Sequence, residues 1–293
     1  MGSGSAIQII LPLALFTIML GVGMSLRLRE FSALWLQPKA VLLALSAQLI
    51  LLPILGFIVV TLFQLPAALA VGIMILTFAP GGATSNMITF LSRGDTALSV
   101  CLTGITGLIT PLTMPLLTLL ALGYWMGEQA SFEFPILTTM LKLLFVAVLP
   151  ALLGALIQHR WPEFCQRSQK IVKALACLFL ILVVIGIVKS NWDKLPDFLL
   201  QVGLAVLVLV VLAMSAGYLI AKKARLSTEQ SITMSVEVGI QNAATALLIT
   251  GGILHNPEMS ASALIYGVLM NIPAFLLIAY RNMPERGAAG GAV

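Results

Sequence analysis

The sequence predicts an all-α membrane protein of nine transmembrane spans, arranged as an inverted repeat with one interrupted helix in each half. Three observations predict it. Of the 293 residues, 60% are hydrophobic and 9% charged, with a mean hydropathy of +1.07, whereas a soluble domain carries about 25% charged residues. Apolar stretches long enough to cross a bilayer at ~20 residues each recur along the whole chain. Two of them are broken in the middle by glycine and oxygen-bearing side chains, at Ala79-Pro80-Gly81-Gly82-Ala83-Thr84-Ser85-Asn86 and at Glu237-Val238-Gly239-Ile240-Gln241-Asn242-Ala243-Ala244-Thr245.

The expected spans are 6–26, 39–63, 67–92 (broken), 95–121, 134–158, 170–189, 197–221, 227–254 (broken) and 259–280. Loops on one side carry Arg27, Arg29, Lys39, Arg93, Arg160, Arg167, Lys170, Lys173, Lys222, Lys223, Arg225, Arg281 and Arg286; the other side carries Lys189 and Lys194. With Lys142 inside a span, these 13, 2 and 1 account for all 16 basic residues. Because Lys and Arg collect in cytoplasmic loops, the N-terminus is expected outside and the C-terminus in the cytoplasm of a cell inner membrane. The net charge of +5 is thus a matter of topology and implies no nucleic acid.

The broken spans are the third and the eighth, so they cross in opposite directions. Spans 2-3-4 and 7-8-9 then read as an inverted repeat, span 1 pairs with span 6, and span 5 is left over. A five-plus-five ancestor lacking its first helix, by evolution or by truncation, explains the surplus. Residues 1–5, Met-Gly-Ser-Gly-Ser, look like a remnant of expression, and 282–293 is expected to be a flexible cytoplasmic tail. Ala6 to Leu26 lacks the basic start of a signal peptide and is long enough to span. Cys101, Cys165 and Cys177 show neither metal nor disulfide spacing and read as small packing residues.

Open backbone at membrane depth is tolerated only where protein buries it or water lines it, and paired breaks point to a transporter's binding site at mid-bilayer. The polar residues there carry the chemistry. Ser99, Thr103, Thr106, Thr110 and Thr113 share one face of span 4. For Thr110 and Thr113, beside Pro111 and Pro115, bonds back to their own helix are expected; Ser99 and Thr103 lie near the break and read as site residues. Glu237 is the single carboxylate well inside a span, and an ionised group there is a functional-site hypothesis by default. Lys142 either pairs with it or snorkels outward. Gln241 and, from mid-span 2, Gln48 add neutral oxygens.

Ser85, Asn86, Ser99, Thr103, Glu237, Gln241 and Gln48 are a hard-oxygen set without His or Cys, which suits an alkali or alkaline-earth cation. One carboxylate is few charges for Ca²⁺ and fits a monovalent ion. Carbonyl ends of half-helices add ligands for it, while their N–H ends face an anion. Cation-coupled anion transport follows from the residues alone.

At these residues the chain resembles the bile acid:sodium symporter family. The match runs through Pro80-Gly81-Gly82-Ala83-Thr84-Ser85-Asn86, Leu91-Ser92-Arg93-Gly94-Asp95 and Ala97-Leu98-Ser99, and again through Glu237-Val238-Gly239-Ile240-Gln241-Asn242. The resemblance implies two broken helices that cross, in a core domain (37–124 and 196–281, spans 2–4 and 7–9), with a panel domain (6–30 and 132–192, spans 1, 5 and 6) closing over it. It implies two sodium ions: one at Ser85, Asn86, Ser99, Thr103 and Glu237, the other at Gln48, Gln241, Glu237 and the carbonyls of Val238 and Ile240.

It also implies an organic anion, bile-acid-like or a small carboxylate such as a pantoate- or keto-acid-like compound, imported by alternating access. The anion is expected by Ala83, Thr84, Asn242 and Ala243, with Asn271 nearby. This chain departs from family patterns at Ala83, at Ala243-Ala244 and at Leu269-Met270-Asn271, all where a substrate would sit. The rival in transport is a proton-driven or sodium-independent anion exporter, which would be expected to carry a thiol where this chain has Ala79. An intramembrane hydrolase would need paired aspartates, a Ser–His or Ser–Lys dyad or a metal motif; His159 and His255 sit in or near loops. An enzyme is not expected, and no phosphate-binding loop of Walker type is present.

Overall fold

The structure, a computed structural model, describes residues 3–26, 31–127 and 134–283. Arg27, Arg29 and Arg286, which enter the charge argument, lie outside the described residues, as does most of the expected tail. Every regular element among the described residues is helical. In chain order they are α1 (Ser3–Gly23), α2 (Pro38–Leu62), α3a (Ala67–Thr77), α3b (Ala83–Leu91), α4 (Thr96–Met126), α5 (Ile136–Arg160), α6 (Pro162–Ser190), α7 (Leu195–Lys223), α8a (Thr228–Gly239), α8b (Ala243–Gly252) and α9 (Pro257–Asn282), with a short turn of helix at Ala33–Leu36.

Seven helices among the described residues are long and apolar enough to cross a membrane: α2, α4, α5, α6, α7, the combined α8a–α8b and α9. Two shorter apolar helices, Ile10–Gly23 and Ala67–Thr77, accompany them. The third expected span therefore differs from a simple crossing for a physical reason: its central break at 78–82 leaves pieces of 11 and 9 residues, neither of which reaches across by itself. The other expected spans overlap these helices, although α4 runs to Met126 and α6 starts at Pro162, outside the expected bounds. α1 begins at Ser3, so the expected remnant at 1–5 joins the first helix at its described end.

The helices start where side chains can replace the missing backbone acceptors of a first turn. Asp95 caps α4 by accepting from Leu98 N at 2.9 Å, Asn256 caps α9 from Met259 N at 3.0 Å, and Ser227 with Gln230 forms a capping box on α8a. Among the described residues, four that are not glycine adopt positive φ: Gln64, Arg93, Arg225 and His255. They close α2, α3b, α7 and α8b, each just before the next helix begins.

Two helices change register internally. α2 passes through a π-helical stretch at Ala47–Leu51 just before Pro53, and α5 through one at Leu144–Val148 just before Pro150. Proline supplies no N–H to the preceding turn, and the ladder there slips by one residue, a local widening common at functional sites.

α2, α3a, α4, α7, α8a, α8b and α9 pack on one another, while α1, α5 and α6 pack chiefly together, with α1 also reaching α8b, α5 reaching α4 and α6 reaching α9. Small residues permit the closest approaches, as expected where lipid offers no hydrophobic drive between helices. Gly217 lets α7 lie against α8a, where a Cβ would stand 2.7 Å from the Met234 carbonyl. Gly72 lets α3a meet Met259 and Ser262 of α9, and Gly23 and Gly154 bring α1 and α5 together.

Some expectations are corrected. Thr113 bonds back to the Ile109 carbonyl at 3.4 Å, as expected, but the fully buried Thr110 hydroxyl has no hydrogen-bond partner at all. Cys101 and Cys165 are buried, whereas Cys177 is exposed on α6. Lys142 is exposed and makes no ion pair with the fully buried Glu237; the one ion pair among the described residues is Lys194–Glu258, at 3.1 Å.

Candidate functional site: an oxygen cage at two broken helices

The two breaks meet. Asn242 N donates to the Pro80 carbonyl at 2.9 Å, so the loose stretch after α3a is fastened to the loose stretch after α8a by backbone alone. Between α3a and α3b the chain runs Phe78 to Gly82, ending in extended backbone at Gly82; between α8a and α8b it is extended at Ile240 and Asn242. Asn242 then caps α8b, its side-chain oxygen accepting from Thr245 N at 3.3 Å. At α3b the Ser85 hydroxyl takes that place, donating to the Gly82 carbonyl at 2.9 Å and accepting from Gly82 N at 3.3 Å.

Gly81 is the pivot of the crossing. A Cβ there would fall 2.7 Å from Glu237 Oε2, 3.1 Å from Thr103 Oγ1 and 3.4 Å from Ser85 Oγ. Three oxygens from three helices therefore converge on one point, and only the absence of a side chain leaves room for them. The residue is glycine because of close approach, since its φ lies outside the left-handed region.

Around that point the oxygens outnumber the protons. Ser99 Oγ lies 2.7 Å from Asn86 Oδ1 and 2.6 Å from Glu237 Oε1; Thr103 Oγ1 lies 3.2 Å from Asn86 Oδ1 and 3.4 Å from Glu237 Oε2. Each hydroxyl has one proton to give, so two protons face four acceptor contacts. Glu237, Ser85 and Ser99 are fully buried, and a buried carboxylate is strongly disfavoured unless a partner offsets its lost hydration. A cation of hard-oxygen preference answers both the surplus of acceptors and the buried charge.

A second group lies beside the first. Gln48, carried by the π-helical stretch of α2, donates from Nε2 to Gln241 Oε1 at 3.0 Å. Gln241 Nε2 donates to the carbonyls of Glu237 and Val238 at 2.9 and 3.0 Å. Gln48 Oε1 has no partner although the residue is buried. The structure thus brings Gln48, Gln241 and the end of α8a together and leaves a buried oxygen unsatisfied, with Ile240 extended just beyond.

The positions expected to face an anion divide. Ala83 and Thr84, in the first turn of α3b, are exposed; Asn242 is buried and Ala243 half-buried. The Asn242 amide meets Met19 of α1, with Nδ2 3.8 Å from the sulfur. The Asn271 nitrogen is engaged within its own helix: Nδ2 donates to the Gly267 and Val268 carbonyls, at 2.9 and 3.1 Å. Gly267 one turn earlier does abut the Ala243 methyl, which a Cβ at Gly267 would meet at 2.6 Å. The sequence reading missed Thr106, whose hydroxyl accepts from Gly81 N at 3.4 Å; its place one turn beyond Thr103 on the hydroxyl face of α4 was the available signal.

Opposed half-helices with a buried carboxylate among neutral oxygens define a class, the membrane transporters that hold ions where interrupted helices cross. Comparison with known proteins narrows the class. A family model described as the sodium bile acid symporter family matches residues 12–198, and the chain belongs to that family of sodium-dependent transporters. It is 28% identical over 268 residues to a protein of Bacillus subtilis named as a sodium-dependent transporter, covering 90% of this chain and 80% of the relative. A chloroplastic protein of rice (Oryza sativa subsp. japonica) named as a sodium/metabolite cotransporter is 27% identical over 267 residues, 91% of this chain and 64% of that one. The human sodium-dependent organic anion transporter is 26% identical over 276 residues, 92% of this chain and 72% of its own. The protein is accordingly a membrane transporter and not an enzyme.

Proposed function

We propose that the protein is a sodium-coupled symporter that imports an organic anion by alternating access, across a cell inner membrane that it spans nine times with its N-terminus outside. The observation that carries this reading is the proton-poor oxygen cage at Gly81, in which four acceptor contacts share two hydroxyl protons about a buried carboxylate. One sodium ion sits among Ser85, Asn86, Ser99, Thr103 and Glu237. A second sits among Gln48, Gln241, Glu237 and the carbonyls of Val238 and Ile240, where the unpartnered Gln48 oxygen supplies a ligand.

The anion binds at the starts of α3b and α8b, by Ala83, Thr84, Asn242 and Ala243, because unpaired N–H groups and the positive ends of the helix dipoles face it there. Asn271 contributes through its oxygen, since its nitrogen is engaged by its own helix. The names of the rice and human relatives support a small metabolite or organic anion as substrate.

The repeat reading rests on the turns. Gln64 and Arg225, and likewise Arg93 and His255, are left-handed residues in matching turns of the two halves, and the offset between partners agrees to within one residue. α2, α3, α4, α7, α8 and α9 act as the core and α1, α5 and α6 as the panel; the preferential packing of these groups supports the division. Sodium filling both sites fastens the crossing in the arrangement that presents N–H groups to the anion, and the core then rocks against the panel. Two sodium ions with a monovalent anion carry one net positive charge inward, which a membrane potential favours by ~2.3 kcal/mol per 100 mV.

The experiment is uptake of small carboxylates and bile acids into proteoliposomes, with external sodium replaced by potassium. Uptake that collapses in potassium and grows with an inside-negative potential is the expected result; uptake indifferent to the exchange overturns the reading.

A further inference from the structure

A polar seam leaves the cage along α3b. On α3b, Ser85, Thr89 and Ser92 follow at steps of four and three and so share a helix face. Thr89 and Ser92 are fully buried, and neither hydroxyl has a hydrogen-bond partner. Thr110, Thr118, Thr139, Thr245 and Tyr266 also carry buried unpartnered hydroxyls, whereas Thr17, Thr106, Ser190 and Ser231 each satisfy theirs on the carbonyl four residues earlier, the ordinary solution in a helix. What sets Thr89 and Ser92 apart is their place in line with Ser85 of the cage.

The opposite walls of the seam are polar too. Thr233 lies one turn before Glu237 on α8a, and Asp95 lies one turn before Ser99 at the start of α4. Thr233 Oγ1 is placed against two acceptors, the carbonyls of Asp95 at 3.1 Å and Glu229 at 2.9 Å. The walls touch at Gly94, where a Cβ would lie 2.9 Å from both Thr233 Oγ1 and the Thr89 methyl. At the far end Arg281 donates to the Ser92 carbonyl at 3.3 Å, and Arg93 donates to Asn282 at 3.1 Å. Hydroxyl and carbonyl oxygens therefore recur between Ser85 and Glu237 and the end of the bundle that carries Arg93 and Arg281.

In the second half the position that corresponds to Thr89 is paired, although Thr245 on the same half-helix is not. There Thr250 and Ser260 bond each other at 3.2 Å, and Ser260 also reaches the Asn256 carbonyl at 2.9 Å.

We infer that this seam is the route by which a sodium ion leaves the cage at Glu237 toward the basic end of the bundle, with the Thr89 and Ser92 hydroxyls and the Thr233–Asp95 oxygens as transient ligands. The inference rests on the reading of the cage as a sodium site. It explains why two buried hydroxyls are left without partners: neutral oxygens replace part of the ion's hydration as it passes, while the lack of a second carboxylate among the unpartnered groups, and the positive charge of Arg281, keep it from resting there. An unsatisfied buried hydroxyl has a real energetic penalty, and retaining two in line with the cage is accounted for by such a passage.

The test compares the wild type with the double variant Thr89→Val, Ser92→Ala, which removes both hydroxyls with little change of shape. Two quantities are read in reconstituted protein: the sodium concentration that half-saturates thermal stabilisation, and the rate of radioactive sodium release from preloaded vesicles during exchange. The expected result is half-saturation within twofold of wild type and release slowed at least tenfold, with Thr89→Ser on its own keeping the wild-type rate. Release at the wild-type rate in the double variant overturns the route. So does an equal loss of affinity and rate, which would make these hydroxyls part of the binding site itself. If the double variant does not fold, Ser92→Val alone is read by the same two quantities. A wild type that sodium neither stabilises nor drives refutes the sodium cage, an outcome distinct from failure of the route.

Discussion

Asn242 and Pro80 are joined through their backbones, N–H to carbonyl at 2.9 Å. This bond ties the two interruptions into one unit, because Pro80 immediately precedes the glycine that abuts Glu237 and Asn242 caps the second half-helix. A change at either break is transmitted to the other without any side chain in between. In the proposed mechanism this bond couples ion binding at one break to anion binding at the other.

Replacing Glu237 with Gln removes the buried charge and keeps the shape. Sodium at about a hundred times its dissociation constant stabilises a folded protein by ~2.7 kcal/mol, and the variant is expected to lose most of that increment. In sodium-free buffer it should melt at or above the wild-type temperature, since an unbalanced buried carboxylate has been taken away. Thermal melts with and without sodium check this, and a variant still stabilised as strongly as wild type removes Glu237 from the site.

Gly81→Ala and Gly82→Ala should behave differently although they are neighbours. An added methyl at Gly81 meets Glu237 Oε2 at 2.7 Å and Thr103 Oγ1 at 3.1 Å, whereas at Gly82 its nearest contact is Asn242 Cβ at 3.4 Å. The first is expected to reduce sodium-dependent uptake at least tenfold, and the second to reduce it only a fewfold. Parallel uptake assays on the two variants decide the matter; equal losses contradict the cage geometry.

Gln48→Leu removes the unpartnered oxygen from α2 and, with it, a ligand of the proposed second ion. The expected consequence is a change of stoichiometry more than of folding: one sodium per monovalent anion, hence transport that no longer responds to membrane potential. Uptake measured at imposed potentials of opposite sign reads this directly. Retained voltage sensitivity would falsify the assignment of Gln48.

Asp95 holds three elements at once. Its carboxylate caps α4 at Leu98 N, accepts from Gln37 Nε2 at 3.0 Å at the foot of α2, and its carbonyl accepts from Thr233 on α8a. Asp95→Ala should lower stability by about 1–2 kcal/mol, the usual range for a lost cap, and Asp95→Asn by less because the acceptor remains. Chemical or thermal denaturation in detergent gives both values, and equal stabilities for all three proteins would show the cap to be idle.

Much of this was legible beforehand because bilayer constraints are severe. A hydrocarbon surround forbids unpaired backbone, so Pro80-Gly81-Gly82 and Gly239-Ile240-Gln241 could be read as interruptions, and the lone acid Glu237 stood out among apolar neighbours. Other features depend on register or on tertiary distance, which a single chain does not display. The π-helical stretch that aims Gln48 has only Pro53 as its sign, and that proline is equally compatible with a straight start. Thr110 and Thr113 look alike in sequence, yet one bonds to its helix and the other is orphaned. Asn271 was placed near the anion by resemblance, and the bond from its amide to Gly267 emerged only from the coordinates.

The contact between Met19 and Asn242 carries a consequence for selectivity. A thioether is a soft, feeble acceptor on a side chain with many rotamers, so it is easily evicted from a polar mouth. At the proposed anion site the first helix would thus lend the second half-helix a temporary stopper. A guest carrying a strong acceptor would displace it, and one without such a group would find the doorway occupied.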